Sequence, residues 1–83
     1  MYVKENKMTL DELNEGEEGI IDEMGVEGVT LQRLVSLGFI PGTAVSIVRK
    51  APFLDPFDIS ICGSMVAVRK DEARRIFVQK KGK

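Results

Sequence analysis

The chain has 83 residues, of which 43% are hydrophobic and 30% are charged, and its formal net charge is −1. This composition is typical of one small globular domain and excludes a disordered tail. A single cysteine, Cys62, and no histidine are present. An internal disulfide is therefore excluded, and both the usual general base and the commonest metal ligand are missing.

Motifs that carry chemistry are also missing from the chain. Neither the phosphate-binding GxxxxGK[ST] pattern nor GxGxxG occurs. We therefore predict a binding module that is not an enzyme, with no cofactor, no metal site and no catalytic residue. No apolar run reaches the roughly 18 residues of a membrane span, and the first residues do not resemble a signal peptide. These features predict a cytoplasmic protein without membrane insertion.

The two ends of the chain carry opposite charges. Residues 1–28 contain nine acidic residues and two lysines, whereas residues 69–83 contain seven basic residues and two acidic ones. We expect the charged ends either to neutralise each other in the fold or to be solvated, and steering of a charged partner is the alternative. The basic end has a single aromatic residue, Phe77, and the sequence pI is near 5.4. Nucleic-acid binding is therefore not favoured.

The first elements follow a short polar arm, residues 1–8. The run Thr9-Leu10-Asp11-Glu12 matches a capping box and predicts one helical turn, which ends before Gly16. Residues 19–24 then read as a strand.

A short helix is predicted between Thr30, as the N-cap, and Gly38, as the left-handed residue after the last turn. Val29 would pack on Leu34 at one end, and Phe39 would fold back on Leu34 in a Schellman motif at the other. The surface that docks on a sheet would comprise Leu31, Leu34, Val35 and Leu37.

The second half of the chain alternates between short strands and turns. Pro41-Gly42 fits a type II turn, Gly63-Ser64 a hairpin turn and residues 70–75 a helical turn. Alternating apolar residues predict four strands, over residues 44–50, 57–62, 65–69 and 76–78. Five short strands with one or two short helices predict a mainly β fold, a small five-stranded barrel.

Three segments together resemble the FeoA family. They are Leu34-x-x-Leu37-Gly38-Phe39-x-Pro41-Gly42-x-x-Val45, then Ala51-Pro52-x-x-Asp55-Pro56, then Val66-Ala67-Val68-Arg69-Lys70-x-Glu72-Ala73-x-x-Ile76-x-Val78. The resemblance implies an SH3-like barrel over residues 9–79, between the arm 1–8 and a basic tail 80–83.

The same resemblance implies a function. It indicates a small cytosolic accessory component of a bacterial ferrous iron uptake system, which docks on or regulates FeoB, a membrane transporter with a cytosolic GTPase domain. The alternative is a regulatory domain like the C-terminal SH3-like domain of metal-dependent repressors, which would bind a peptide or a regulator. Weak self-association is left open.

Two hypotheses concern the partner-binding residues. The loop Pro52–Pro56 either folds Phe53 and Leu54 onto the open end of the barrel or offers them as a preformed docking knob. Arg33 or Arg49 either pairs with a surface acid or acts as an arginine finger on the GTPase. The predicted partner-binding residues are Leu34, Leu37, Phe39, Pro52, Phe53, Leu54, Arg33 and Arg49.

Overall fold

The structure is a computed structural model that describes residues 7–50 and 56–81. The described elements are β1 (Lys7–Thr9), a 3₁₀ helix (Leu10–Glu12), β2 (Glu18–Met24), α1 (Gly28–Ser36), β3 (Ala44–Lys50), β4 (Phe57–Ile61), β5 (Ser64–Val68), α2 (Lys70–Ala73) and β6 (Ile76–Lys80).

The described strands form one antiparallel sheet in the order β1-β6-β2-β3-β4-β5. The predicted mainly β fold with short helices is confirmed. The described residues form one strand more than the five predicted, because Lys7–Thr9 forms β1 and pairs with β6. The hydrogen-bonded ladder does not close within the described residues, since β1 and β5 each have one neighbour.

Alternating apolar side chains of the strands point to one side of the sheet and form the core. Phe57, Ile59 and Ile61 of β4 are at most 3% exposed, as the alternation predicted. The neighbouring strands contribute Val45, Ile47, Val66 and Val68, and the connecting segments contribute Leu10, Leu13, Val26, Leu34, Phe39 and Ala73.

A bulge in β3 brings a lysine to the core side of the sheet. The register between β3 and β4 shifts between Ile47 and Arg49, so that Lys50 comes opposite Phe57. The Lys50 ammonium donates hydrogen bonds of 2.8 Å to the carbonyl oxygens of Asp11 and Leu13, and it lies 5.3 Å from the Phe57 ring centroid. These contacts fasten the 3₁₀ helix to the sheet through charge-assisted hydrogen bonds.

The start of α1 differs from the prediction. The helix begins at Gly28 with Glu27 in the cap position, so Thr30 lies inside the first turn and its assignment as N-cap was wrong. Gly28 adopts a φ of +67°, which costs glycine little and lets the chain enter the helix three residues earlier. Val29 is 81% exposed and therefore does not form the predicted packing contact with Leu34.

The end of α1 is the predicted Schellman motif. Gly38 has a φ of +108°, its N–H donates to the Val35 carbonyl at 3.0 Å, and the Phe39 N–H donates to the Leu34 carbonyl at 3.0 Å. The motif reverses the chain and places Phe39 in the core, where it is 0% exposed. A Cβ on Gly38 would lie 2.7 Å from the Cys62 Sγ, so the helix end also abuts the β4–β5 turn.

The turn between β4 and β5 lies one residue earlier than predicted. Cys62 and Gly63 have φ values of +52° and +77°, and the ladder closes at the pair Ile61 and Ser64. Two-residue hairpin turns with positive φ at both central positions match the twist of the strands they join. Cys62 is therefore an exposed turn residue and not the last residue of the strand predicted over residues 57–62.

The opposite charges of the two chain ends meet in the fold, as predicted. Because β2 pairs with β6, Glu17 lies 2.8 Å from the Lys80 ammonium and Glu18 lies 3.5 Å from that of Lys81. The Asn14 backbone N–H donates to the Glu17 carboxylate at 2.8 Å. This hydrogen bond, together with Lys80, holds the pKa of Glu17 below its usual value.

Replacing Gly38 with alanine should destabilise the protein more than the same change at Gly42. Both glycines have positive φ, which costs a residue with a Cβ roughly 1–2 kcal/mol. Only the new Cβ at residue 38 would also collide with the Cys62 Sγ, whereas no atom lies within 4 Å of the one at Gly42. Urea unfolding of both variants measures the difference, and Cys62→Ala should restore part of the stability only in the Gly38→Ala background. Equal losses in the two variants would contradict the contact.

The ion pair of Glu17 should appear as a pH-dependent contribution to stability. Because its pKa is lowered in the folded state, the contribution is present at neutral pH and is lost as the pH falls through the folded pKa, below the usual range. Carbon-13 NMR titration should show the pKa of Glu17 rising in a Lys80→Met variant. Lys81→Met is the matched control and should leave the pKa of Glu17 unchanged, since its partner is Glu18.

Candidate protein-docking surface

Exposed apolar side chains concentrate at the C-terminal end of α1. Among the described residues, six large apolar side chains are exposed, and three of them lie between positions 35 and 40. Val35 is 40% exposed, Leu37 38% and Ile40 48%. We call these three residues the α1 patch. Exposed apolar side chains that lie this close along the chain are candidates for an interaction site.

Two buried side chains anchor the segment that carries the α1 patch. Leu34 and Phe39 are both 0% exposed, so they anchor the helix end in the core and present no side-chain surface to a partner. Val35 lies about 100° around the helix from Leu34, which turns it away from the core. Its expected burial against the sheet was therefore wrong. Because Val35 lies only about 40° around the helix from the partly buried Leu31, sequence periodicity alone did not mark it as a surface residue.

Arg33 joins α1 to α2 through Glu72. One terminal nitrogen of the guanidinium lies 3.0 and 3.1 Å from the two carboxylate oxygens. Glu72 also accepts the backbone N–H of Arg69 at 3.0 Å, which caps the first turn of α2. The Arg33 side chain is 44% exposed and that of Glu72 14% exposed, so the pair lies at the rim of the fold.

A cleft of about 420 Å³ adjoins this ion pair. Among the described residues it is lined by Arg33, Pro56, Ala67, Arg69 and Glu72. The cleft thus lies between α1, the end of β5 and the start of α2. Arg69 forms no ion pair with the other residues that the structure describes, whereas the Arg33 guanidinium in the same cleft is paired with Glu72.

The other predicted contact residues are distributed over the fold. Arg49 lies in β3, where its side chain is 75% exposed and 3.6 Å from the Asp58 carboxylate. Arg33 and Arg49 therefore have separate acidic partners. Pro52, Phe53 and Leu54 lie outside the described residues, so the docking loop stays a prediction. The partner-binding roles of Leu37, Arg33 and Arg49 likewise stay predictions.

Metal ligands and membrane spans were sought in the same residues. Within residues 7–50 and 56–81, no three cysteine, aspartate or glutamate side chains are grouped as a metal ion would require. No helix in these ranges is both long and apolar enough to cross a membrane.

The FeoA domain model matches residues 8–80, which is most of the chain. The chain belongs to the FeoA family. The family consists of small SH3-like accessory domains and is not a catalytic one, so the prediction of a non-enzymatic module is confirmed.

Individual relatives agree with this assignment. The chain is 32% identical over 72 residues to an Fe(2+) transport protein A/Fe(2+) transporter FeoB fusion protein of Porphyromonas gingivalis; this covers 87% of the chain and 8% of the fusion protein. The solution structure of FeoA from Chlorobium tepidum has a TM-score of 0.85 and 29% identity, with 90% of this chain and 71% of that one covered.

A crystal structure of FeoA from Stenotrophomonas maltophilia supports the SH3-like fold. It is described as a prokaryotic SH3 domain protein, complexed with zinc. Its TM-score is 0.72 at 29% identity, over 87% of this chain and 89% of that one. The SH3-like prediction is thereby confirmed.

Glu72→Ala should destabilise the protein more than Arg33→Ala. Both changes break the ion pair, which is worth little at the surface. Only the loss of Glu72 also removes the acceptor of the Arg69 N–H, and the loss of such a cap costs roughly 0.5–2 kcal/mol. Urea unfolding measures both changes, and Glu72→Gln is the control that retains an acceptor. Equal destabilisation by the two alanine variants would contradict a capping role for Glu72.

Proposed function

We propose that this FeoA domain is a cytoplasmic accessory component of a bacterial ferrous iron uptake system and docks on the transporter FeoB through the α1 patch. The observation that carries the proposal is the Porphyromonas gingivalis fusion protein, in which a FeoA region and the transporter FeoB belong to one polypeptide. Covalent linkage raises the effective concentration of two modules for each other, so fusion is typical of domains that act together. The Stenotrophomonas maltophilia relative has itself been proposed as a ferrous iron transport activating factor.

The form of the α1 patch supports a docking role. The Schellman hydrogen bonds and the buried side chains of Leu34 and Phe39 hold Leu37 and Ile40 in place before any partner arrives. Apolar anchors that are fixed in advance lose less conformational entropy on binding. The patch therefore supplies a preformed apolar centre, and the Arg33–Glu72 ion pair, which joins α1 to α2, supplies part of a polar rim.

The two arginines favour docking over catalytic activation of the GTPase. An arginine finger must reach the phosphates of the partner's nucleotide with a free guanidinium. Arg33 is held by Glu72, and Arg49 lies beside Asp58. Each would have to leave an acidic partner before it could act in this way. We therefore propose an adaptor that positions or assembles the transporter.

An NMR titration of the labelled protein with the cytosolic GTPase domain of FeoB tests the docking surface. Run once with GDP and once with a non-hydrolysable GTP analogue, it should shift the amide signals of residues 33–40. Leu37→Asp and Ile40→Asp should each weaken binding about tenfold or more, because a charge would replace an apolar contact at the centre of the interface. Val48→Asp is the matched control, since Val48 is 44% exposed but lies on β3.

Several outcomes would contradict this proposal. The absence of shifts with either nucleotide would exclude the simple two-domain complex. Binding that the Leu37 and Ile40 variants leave unchanged would exclude the α1 patch. GTP hydrolysis that rises on binding and then falls to the basal rate with Arg33→Ala or Arg49→Ala would establish an activating factor instead of an adaptor.

A further inference from the structure

Strand β5 forms one edge of the sheet. Among the described residues it pairs with β4 alone, and the two-residue turn at Cys62 and Gly63 sets the register of the hairpin. In a hairpin of this type, the residues that flank the turn exchange both backbone hydrogen bonds, and hydrogen-bonded pairs then alternate along the ladder. Ser64, Val66 and Val68 consequently bond to β4.

The alternate residues of β5 direct their backbone groups away from the sheet. The N–H and C=O groups of Met65 and Ala67 have no hydrogen-bond partner in the part of the chain that the structure describes. Both side chains lie on the outer face, where Met65 is 62% exposed and Ala67 is also exposed. A row of unpaired donors and acceptors beside exposed side chains is a template for another strand.

The β5 edge lacks the devices that normally prevent such pairing. Its sequence, Ser-Met-Val-Ala-Val, contains no charged residue and no proline, and its ladder with β4 runs without a bulge. The opposite edge is different in sequence, because the described part of β1 contains Lys7. The β5 edge contains no charged residue and its ladder with β4 is continuous.

We propose that two copies of this chain associate by antiparallel pairing of their β5 edges, with the two-fold axis at Val66. In this register Met65 of one copy lies opposite Ala67 of the second copy, and each such pair exchanges both of its free backbone hydrogen bonds. The edge is therefore self-complementary, as an interface with two-fold symmetry requires. The pairing would extend the sheet across both molecules.

Side-chain packing and the distribution of charge are both compatible with this antiparallel register of the two β5 strands. Met65 would pack across the strands onto Ala67 of the second copy, and this contact would cover two exposed apolar groups. Arg69 would come opposite Gly63 of the second copy, so no like charges face each other. The two Arg69 residues would be about 20 Å apart along the strands. Because each chain has a net charge of only −1, the electrostatic repulsion between the two copies is also small.

The surface involved is small, so the expected association is weak, with a Kd on the order of 0.1–1 mM. It does not depend on the proposed function, because β5 contributes no residue to the α1 patch. Self-pairing therefore adds a second contact to the protein and does not occupy the docking surface proposed for the transporter.

Sedimentation equilibrium and amide hydrogen exchange of the complete chain test the pairing. Over concentrations from about 20 µM to 1 mM, the weight-average mass should rise from 9.2 kDa towards twice that value. The amides of Met65 and Ala67 should become more protected over the same range, whereas those of Val66 and Val68 should change little.

Two edge variants and one control make the test specific. Met65→Lys places a charge on the edge, and Ala67→Pro removes one outward N–H without touching the ladder to β4; each should weaken association about tenfold or more. Val48→Lys adds the same charge to an exposed position away from the edge and should associate like the parent protein. Protected amides of Val66 and Val68 show that each variant is folded.

A protein that stays monomeric over the whole concentration range would overturn the proposal. Association that survives in both edge variants would also overturn it. If the amides of Met65 and Ala67 became protected only after addition of the FeoB GTPase domain, the edge would bind a strand of that partner and self-pairing would be wrong. If the protein did not bind the FeoB GTPase domain but still self-associated, that result would contradict only the proposed function.

Discussion

The geometry of the α1 patch depends on the reversal of the chain at Gly38. The left-handed conformation of this residue ends α1, closes the two Schellman hydrogen bonds and turns Phe39 into the core. Leu34 and Phe39 then hold the helix end from both sides of the reversal. The exposure of Leu37 follows from this reversal, because Leu37 lies between the two buried anchors, and Ile40 is exposed directly after the second anchor.

Charged side chains mainly form hydrogen bonds and ion pairs that link separate elements. Lys50 ties the 3₁₀ helix to β3, Arg33 and Glu72 tie α1 to α2, and Lys80 ties β6 to the residue that precedes β2. Each contact is modest by itself, but all of them join segments that are distant in sequence. These contacts help to specify the strand order and register, because the short strands of a small sheet offer few other interactions that distinguish one neighbouring strand from another.

The fold offers two surfaces of different character. The α1 patch consists of exposed apolar side chains at the end of a helix, and the β5 edge is a row of backbone donors and acceptors at the end of the sheet. If both are used together, two copies joined at β5 would present two α1 patches, and a partner with two matching sites would bind them with increased avidity.

The sequence by itself determined the local elements and the family. Alternating apolar residues predict the core positions of β3, β4 and β5, the Gly38-Phe39 pair predicts the Schellman motif, and the segments spread from Leu34 to Val78 carry the resemblance to FeoA. These features depend on the side-chain period and on local backbone freedom, and both can be read from neighbouring residues.

Only the tertiary structure decided which surfaces are free. The pairing of β1 with β6, the bulge at Val48 and the position of Cys62 in the turn arise from the register between strands. The ion pairs of Arg33 and Arg49 arise from contacts between residues distant in sequence or on neighbouring strands. The exposure of Val35 and the free edge of β5 follow from the way the elements pack in the folded domain. The burial of a residue depends on what packs against it, and short-range sequence patterns do not contain that information.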